Sequence, residues 1–343
     1  LTGDAVFPPP VNEHRRPDAR LFAALGVDAD DCRIQDLRKQ GSGRRYARIH
    51  GPEGRSWVWC AYSPERRENG AFVAVAEFLG RIGVRIPRVL VHLGDACEIV
   101  SDDLGRQPLQ EVTDQVVIEE ALADVVAQVA RLHVVGDRAA RLEELPLQPG
   151  FTKGLYDWER DYFREHILGN LLGADELWAD AAEEYCGLRS RLLAEPTVPI
   201  HRDLQSANIM LVDGRAYLID FQGMRRGCAA YDLGSLLFDP YMSHPAPLRQ
   251  RMWRRYGEEV SRLGGVPPAD ELLGAAAAQR LLQALGAYGK LWRADNLPWY
   301  RQFILPALDL LAQAADSGGF GCLAALAREV RARAVHKGVG AEA

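Results

Sequence analysis

Residues 200–220, IHRDLQSANIMLVDGRAYLID, decide how the rest of the chain is read. Two apolar runs, residues 209–212 and 215–219, flank Asp213-Gly214. Asp-Gly between apolar runs is a strong hairpin signal, because a type I′ turn needs positive φ at both central positions. A two-residue turn there pairs Val212 with Arg215, Met210 with Tyr217 and Asn208 with Ile219. Asn208 then leaves one strand where Asp220 follows the other, and Asp203 lies on the loop leading in. An amide oxygen and a carboxylate, beside a second carboxylate, suit a hard cation such as Mg²⁺ next to a base. Taken alone, the hairpin is equally compatible with an ordinary surface turn that has polar ends.

Around this stretch the chain has ordinary globular chemistry. Its 343 residues are enough for one large domain or two, and 48% hydrophobic with 26% charged residues fits a folded core. A net charge of −6 gives no global push toward nucleic acid or an anionic membrane. No apolar run approaches the roughly 18 residues of a spanning helix. The N-terminal LTGDAVFPPPVNEHRRP has no basic region followed by an apolar core, which argues against a signal peptide. The six cysteines are scattered without a CxxC pair, which favours free thiols in a reducing cytoplasm over disulfides or zinc.

From the N-terminus, a Pro-rich arm and a short helical piece at 21–26 precede strand candidates at 32–37, 45–49 and 56–62. Small residues at the first turn, Gly41, Ser42 and Gly43, allow close backbone approach to a phosphate, although any hairpin turn could carry them. A helix at 68–80 and strands at 88–92 and 97–100 follow. Beyond Gly105 the composition turns helical, with amphipathic segments at 114–135, 155–168, 176–193, 248–263, 269–293, 299–315 and 323–335. The expected fold is therefore α+β. A small antiparallel β-sheet unit with one helix spans residues 1–104, and a large, mainly helical unit carrying one hairpin spans residues 105–343.

HRDLQSAN followed by a strand ending in IDFQ resembles the kinase-like superfamily, and within it the aminoglycoside phosphotransferase and choline kinase branch. GSGRRYARI, the SDDLG turn and YDLGSLL are similar to the anomeric N-acetylmuramate and N-acetylglucosamine kinases of that branch. The resemblance implies a two-lobed protein-kinase-like fold, ATP and Mg²⁺ as nucleotide and metal, and a small sugar as substrate. It implies Asp203 as the base and Asn208 and Asp220 as metal ligands, with His201 and Arg202 bracing the loop. It further implies Asp232 as the buried acid that holds the loop's backbone, and the backbone of Ile99, Ser101 and Asp102 as the adenine hinge.

One departure stands out. The family's third-strand lysine should fall at or beside Cys60, and the chain has only four lysines, Lys39, Lys153, Lys290 and Lys337, none of them there. Arg44, Arg45 and Arg48 follow the Gly turn directly, and a guanidinium binds phosphate bidentately, so these three are the candidate replacements. They could equally be a solvated strand edge. Glu68, the possible helix partner of such a lysine, is left without an obvious role.

Only eleven residues separate Asp220 from Asp232, too few for a protein kinase's activation loop and peptide platform, and Gln222 replaces the Gly of DFG. A small acceptor is expected. From residue 241 to the end there are thirteen Lys/Arg against nine Asp/Glu, a balance that suits a neutral or anionic sugar better than a polycationic aminoglycoside. Trp158 could stack on a sugar face or pack in the core, and Gln205 could hydrogen-bond a hydroxyl. The alternatives are an antibiotic O-phosphotransferase and, from another class, a nucleotide-binding pseudokinase acting as a binding module.

Overall fold

The computed structural model describes residues 15–37 and 44–339. The turn expected at Gly41, Ser42 and Gly43 lies outside them. Helix α1 (Ala19–Leu25) is capped by Asp18, whose carboxylate accepts the Arg20 N–H, and ends at Gly26 with φ +68°. Strands β1 (Arg33–Asp36), β2 (Arg45–His50) and β3 (Ser56–Ala61) precede two short helices, α2 (Arg67–Gly70) and α3 (Phe72–Arg81). Strands β4 (Val89–Leu93) and β5 (Glu98–Asp102) complete a five-stranded antiparallel sheet in the order β1-β2-β3-β5-β4.

The strands' period of two gives the sheet two different faces. Ala47, Ile49, Trp57, Trp59, Ala61 and Val100 form a separate apolar cluster with Leu21 and Phe22 of α1. The intervening residues, Arg44, Tyr46, Val58, Cys60, Ile99 and Ser101, belong to the opposite face. Tyr46 stands across from Cys60, and Cys60 across from Ile99.

The remainder is mainly helical: α4 (Gln115–Arg131), α5 (Asp137–Glu143), α6 (Lys153–Phe163) and α7 (Ala182–Ala194) lead to β6 (Thr197–Ile200). The expected hairpin is β7 (Ile209–Val212) with β8 (Arg215–Leu218), and its register is Val212↔Arg215 and Met210↔Tyr217. Asp213 and Gly214 take φ +49° and +72°, as a type I′ turn requires. Ile219 N–H donates to Asn208 C=O at 3.0 Å, extending the pairing to the polar end. After the hairpin come β9 (Arg225–Cys228), α8 (Ala230–Leu237), α9 (Ala246–Arg262), α10 (Glu271–Arg293), α11 (Ile304–Gly318) and α12 (Gly321–His336).

Three features were not expected. β6 and β9 pair as a second small antiparallel sheet. Residues 132–136 and 164–172 continue α4 and α6 with the wider π winding rather than as plain α-helix. The helix expected at 68–80 is broken into α2 and α3 near Ala71.

Helix α10 is buried along most of its length and packs against α6, α8 and α11. A helix apolar all round has to lie inside the helical layer. Its contact with α8 is backbone to backbone: a Cβ placed on Gly234 would lie 2.7 Å from the Ala277 nitrogen. Gly234→Ala is therefore expected to cost about 2–3 kcal/mol, at the upper end of overpacking effects because main chain cannot move aside as a side chain can. Urea denaturation measures this; an unchanged midpoint would contradict the tight crossing.

Candidate active site

The loop after β6 is held from below by Asp232, a fully buried carboxylate in the first turn of α8. Its Oδ2 accepts the His201 N–H at 2.7 Å and its Oδ1 the Arg202 N–H at 2.8 Å. His133, in the π-wound turn after α4, approaches the same carboxylate through Nε2 at 3.2 Å, while Nδ1 meets the Tyr256 hydroxyl at 2.8 Å. His133 lies within the π-wound turn, a winding frequent at functional sites. His201 Nε2 donates to the Ile219 carbonyl at 3.0 Å, tying the loop to the strand that ends in Asp220. Arg202 (φ +79°) and Asp220 (φ +61°) both adopt left-handed backbone, a costly conformation for residues with a Cβ and one that is held only by such surroundings.

Asn208 Nδ2 donates to the Asp203 carbonyl at 2.8 Å, and its own Oδ1 accepts no hydrogen bond among the described residues. Asp220 Oδ1 accepts from Gln222 Nε2 at 2.6 Å, so the residue that replaces the Gly of DFG orients the carboxylate. Among the described residues, Asp220 Oδ2 accepts no hydrogen bond. One amide oxygen and one carboxylate oxygen at the open end of a hairpin fit Mg²⁺, which keeps several waters and takes few protein ligands.

Opposite them stands Arg44. Its guanidinium, almost fully buried, donates to Asn69 Oδ1 at 2.7 Å, to Glu68 Oε1 at 2.7 Å and to Asp220 Oδ1 at 3.3 Å. Burial works against this charge, but Tyr46, Asp220 and Glu68 more than offset it. Cys60, at the position expected of a lysine, is a buried neutral thiol pushed up to about 12 by desolvation. The cation thus comes from the start of β2 instead of from β3, and it recruits the helix carboxylate. Glu68 is not left idle, contrary to the expectation from sequence.

The other two arginines do not join it. Arg45 lies on the outer face, over the Trp59 ring at 5.5 Å and bonded to Asp36 at 2.7 Å. Arg48 is locked in a bidentate pair with Asp103 (2.6 and 2.9 Å) and also donates to the Gly105 carbonyl at 2.6 Å, which fastens the turn after β5. Of the three arginines expected to face phosphate, only Arg44 is bonded to Asp220, and Arg45 and Arg48 are engaged elsewhere. The main chain expected to serve as the hinge is engaged as well. Strand β5 lies between β3 and β4, so the main chain of Ile99 and Ser101 is engaged in the two ladders. Asp102 N–H donates to the Arg88 carbonyl at 3.0 Å, and its carboxylate is paired with Arg88. Ile99 and Ser101 offer the cleft side chains, and main chain outside the ladder begins at Asp103.

Asp203 sits among cations. Arg280 Nη2 lies 3.5 Å from its Oδ1 and Arg202 Nη1 3.8 Å from its Oδ2. Burial pushes its pKa up, but Arg202, Arg280, His201 and Arg225 outweigh that and hold the carboxyl below the usual range. A buried Glu159 underlies this group, accepting from the Tyr231 hydroxyl at 2.9 Å and Gln279 Nε2 at 2.9 Å. Gln205 lines a small recess beside the base with Ser235, Asp239, Arg280 and Tyr288. Trp158 is half-exposed on α6 and stacked on Tyr162 with ring centroids 5.0 Å apart, so it does not pack in the core.

Arg280 and Glu159 escaped the sequence reading. A signal existed for Arg280: Gln279-Arg280 interrupts an otherwise apolar helix, and a charge at such a position needs a buried partner.

This layout, a carboxylate on a braced loop beside a hairpin's polar end and a cation from the sheet, is that of the kinase-like phosphotransferases. Residues 33–271 match the APH phosphotransferase enzyme family, and the chain belongs to it. Among characterised relatives, the chain is 31% identical to the N-acetylmuramate/N-acetylglucosamine kinase of Pseudomonas aeruginosa, over 82% of this chain and 83% of that one. It is 28% identical to the enzyme of the same name from Neisseria meningitidis serogroup B, over 78% and 81%. In fold it is similar to a choline kinase from Streptococcus pneumoniae (TM-score 0.61, 12% identity, 88% of this chain and 96% of that one). It is also similar to an aminoglycoside phosphotransferase solved with ADP and hygromycin B (TM-score 0.54, 17% identity, 94% and 98%). These bear out the α+β kinase-like fold and an enzyme of the phosphotransferase class. Among the described residues, no helix is long and apolar enough to cross a membrane.

Arg44→Met removes the shared cation and leaves Glu68 and Asp220 facing each other. Both carboxylates are partly exposed, so the expected loss is about 1–3 kcal/mol, below that of a fully buried pair. Thermal unfolding checks this, and a variant as stable as the parent would show that the bridge contributes nothing.

Proposed function

We propose that this enzyme transfers the γ-phosphoryl group of ATP to a sugar hydroxyl, and that the acceptor is the anomeric hydroxyl of N-acetylmuramate or N-acetylglucosamine. The observation that carries the reading is the pairing of an ionised Asp203, ringed by arginines, with the Asn208–Asp220 oxygen pair across from Arg44. In this reading Asp203 accepts the acceptor hydroxyl's proton. Its depressed pKa makes it a weak base, which suits an anomeric hydroxyl, more acidic than the other hydroxyls of a sugar. Asn208 and Asp220 would hold Mg²⁺, which would neutralise charge on the nucleotide phosphates. Arg44 takes the phosphate-facing role of the absent lysine, and the main chain from Asp103 onward takes the adenine edge. The protein's part is positioning and electrostatics, which phosphoryl transfer needs more than covalent help.

The names of the relatives support the sugar. The surroundings of Asp203 support it too: Arg202, Arg225 and Arg280 would repel a polycationic aminoglycoside, whose binding calls for carboxylates there. The pseudokinase alternative called for arginines turned from the cleft, and Arg44 faces Asp220.

ATP consumption against a panel of amino sugars, hexoses and aminoglycosides, with the phosphorylated carbon located by ³¹P NMR, tests the assignment. The expected product is a 1-phosphate of an N-acetylhexosamine, and turnover confined to aminoglycosides would refute it. With that substrate, Asp203→Asn is expected to lower kcat by on the order of 10²-fold or more while nucleotide affinity survives. Unchanged turnover would remove Asp203 as the base.

A further inference from the structure

The recess beside Asp203 is small. Its cavity of ≈ 10 Å³ has room for about one water-sized group, too little for a sugar ring or a whole carboxylate, so an acceptor stays in the cleft and can meet Arg280 only from the side of Asp203. Besides the Tyr288 phenol, two ionisable groups line the recess. Asp239 is turned toward its own surroundings, its oxygens accepting the Ser206 N–H (2.7 Å), the Ser206 hydroxyl and the Tyr241 N–H (2.9 Å). Arg280 is different. It is only 7% exposed, and its hydrogen-bond acceptors are neutral, Ser235 Oγ at 3.3 Å and Gln283 Oε1.

Among the described residues, the carboxylate nearest to this guanidinium is that of Asp203, at 3.5 Å. Glu159 and Asp239, the further carboxylates whose field reaches Arg280, are held by donors of their own, so no carboxylate among the described residues is hydrogen-bonded to this guanidinium. A carboxylate supplied by the substrate would give Arg280 a directly bonded acidic partner. Gln205, on the same wall, has a side-chain amide able to donate a second hydrogen bond.

We propose that Arg280, with Gln205, forms a carboxylate-binding subsite beside the base, so that the enzyme favours an acceptor sugar carrying a carboxylate on a short arm over its uncharged counterpart. N-acetylmuramate is such a sugar: it is N-acetylglucosamine with a lactyl ether arm. This inference rests on the sugar-kinase reading above and sharpens it from two acceptors to a preference between them.

The experiment compares three acceptors, N-acetylmuramate, the neutral primary amide of its lactyl group, and N-acetylglucosamine, with the wild type, Arg280→Gln and Arg280→Lys. The wild type is expected to show kcat/KM about 10–100-fold higher for the acid than for the isosteric amide, the range of a charge-assisted hydrogen bond, with the difference mainly in KM. Arg280→Gln lowers turnover of all three, because Arg280 also touches Asp203, but it brings the acid-to-amide ratio to about one, and Arg280→Lys restores part of the ratio. Equal wild-type values for acid and amide would overturn the subsite, and that comparison decides even if the Gln variant does not fold. A uniform fall in Arg280→Gln with the ratio preserved would overturn it too, leaving Arg280 as a positioning residue for Asp203. A wild type that phosphorylates none of the three sinks the sugar-kinase reading and the subsite with it.

Discussion

The site depends on one buried carboxylate. Asp232 carries no solvent exposure, and both of its oxygens are taken by consecutive backbone amides of the loop that bears Asp203. Two amides and a histidine compensate its burial, and in return the loop is held in a backbone that includes a left-handed arginine. His201 then passes the constraint to Ile219, one residue before Asp220. Asp203 and Asn208, which precede the Asp-Gly hairpin, and Asp220, which follows it, are in this way positioned by a single helix turn. The close crossing of α8 and α10 at Gly234 sits two residues beyond Asp232 and brings Arg280 to the same place.

Around this frame the charges are arranged in two groups. On the sheet side, Arg44 gathers Glu68, Asn69 and Asp220, and the position a lysine would occupy is a neutral thiol beside Tyr46. The cation has moved by strand, from β3 to the start of β2, and remains on the same sheet face because residues 44, 46 and 48 alternate with the outer-facing 45, 47 and 49. On the helical side, three arginines stand around the Asp203 carboxylate, with Glu159 beneath them. The first group suits phosphate and the second an acceptor that is neutral or negative. A guanidinium's fixed fork makes both arrangements more directional than lysine would.

Much of this could be read before any coordinates. The hairpin register, both positive φ values and the convergence of Asn208, Asp220 and Asp203 followed from local chemistry, since an Asp-Gly turn leaves little choice. Helices with clear apolar periodicity were found at nearly their observed bounds. What was missed depends on distance in sequence. The pairing of β6 with β9 involves four-residue strands containing Pro199 and Arg225-Arg226, with no alternation to reveal them. Arg44, Arg45 and Arg48 looked equivalent because only the partners Asp220, Asp36 and Asp103 tell them apart, and these lie 176, 9 and 55 residues away. Arg280 meets Asp203 across a helix crossing that no local pattern encodes.

The central claim is that this phosphotransferase works with an arginine from β2 in place of the strand lysine. A crystal structure with Mg²⁺ and a non-hydrolysable ATP analogue tests it most directly. The account predicts a metal held by Asn208 Oδ1 and Asp220, with the Arg44 guanidinium within hydrogen-bond distance of a phosphate oxygen and still bonded to Glu68. Phosphates contacted by some other cation, with Arg44 turned from them, would contradict it.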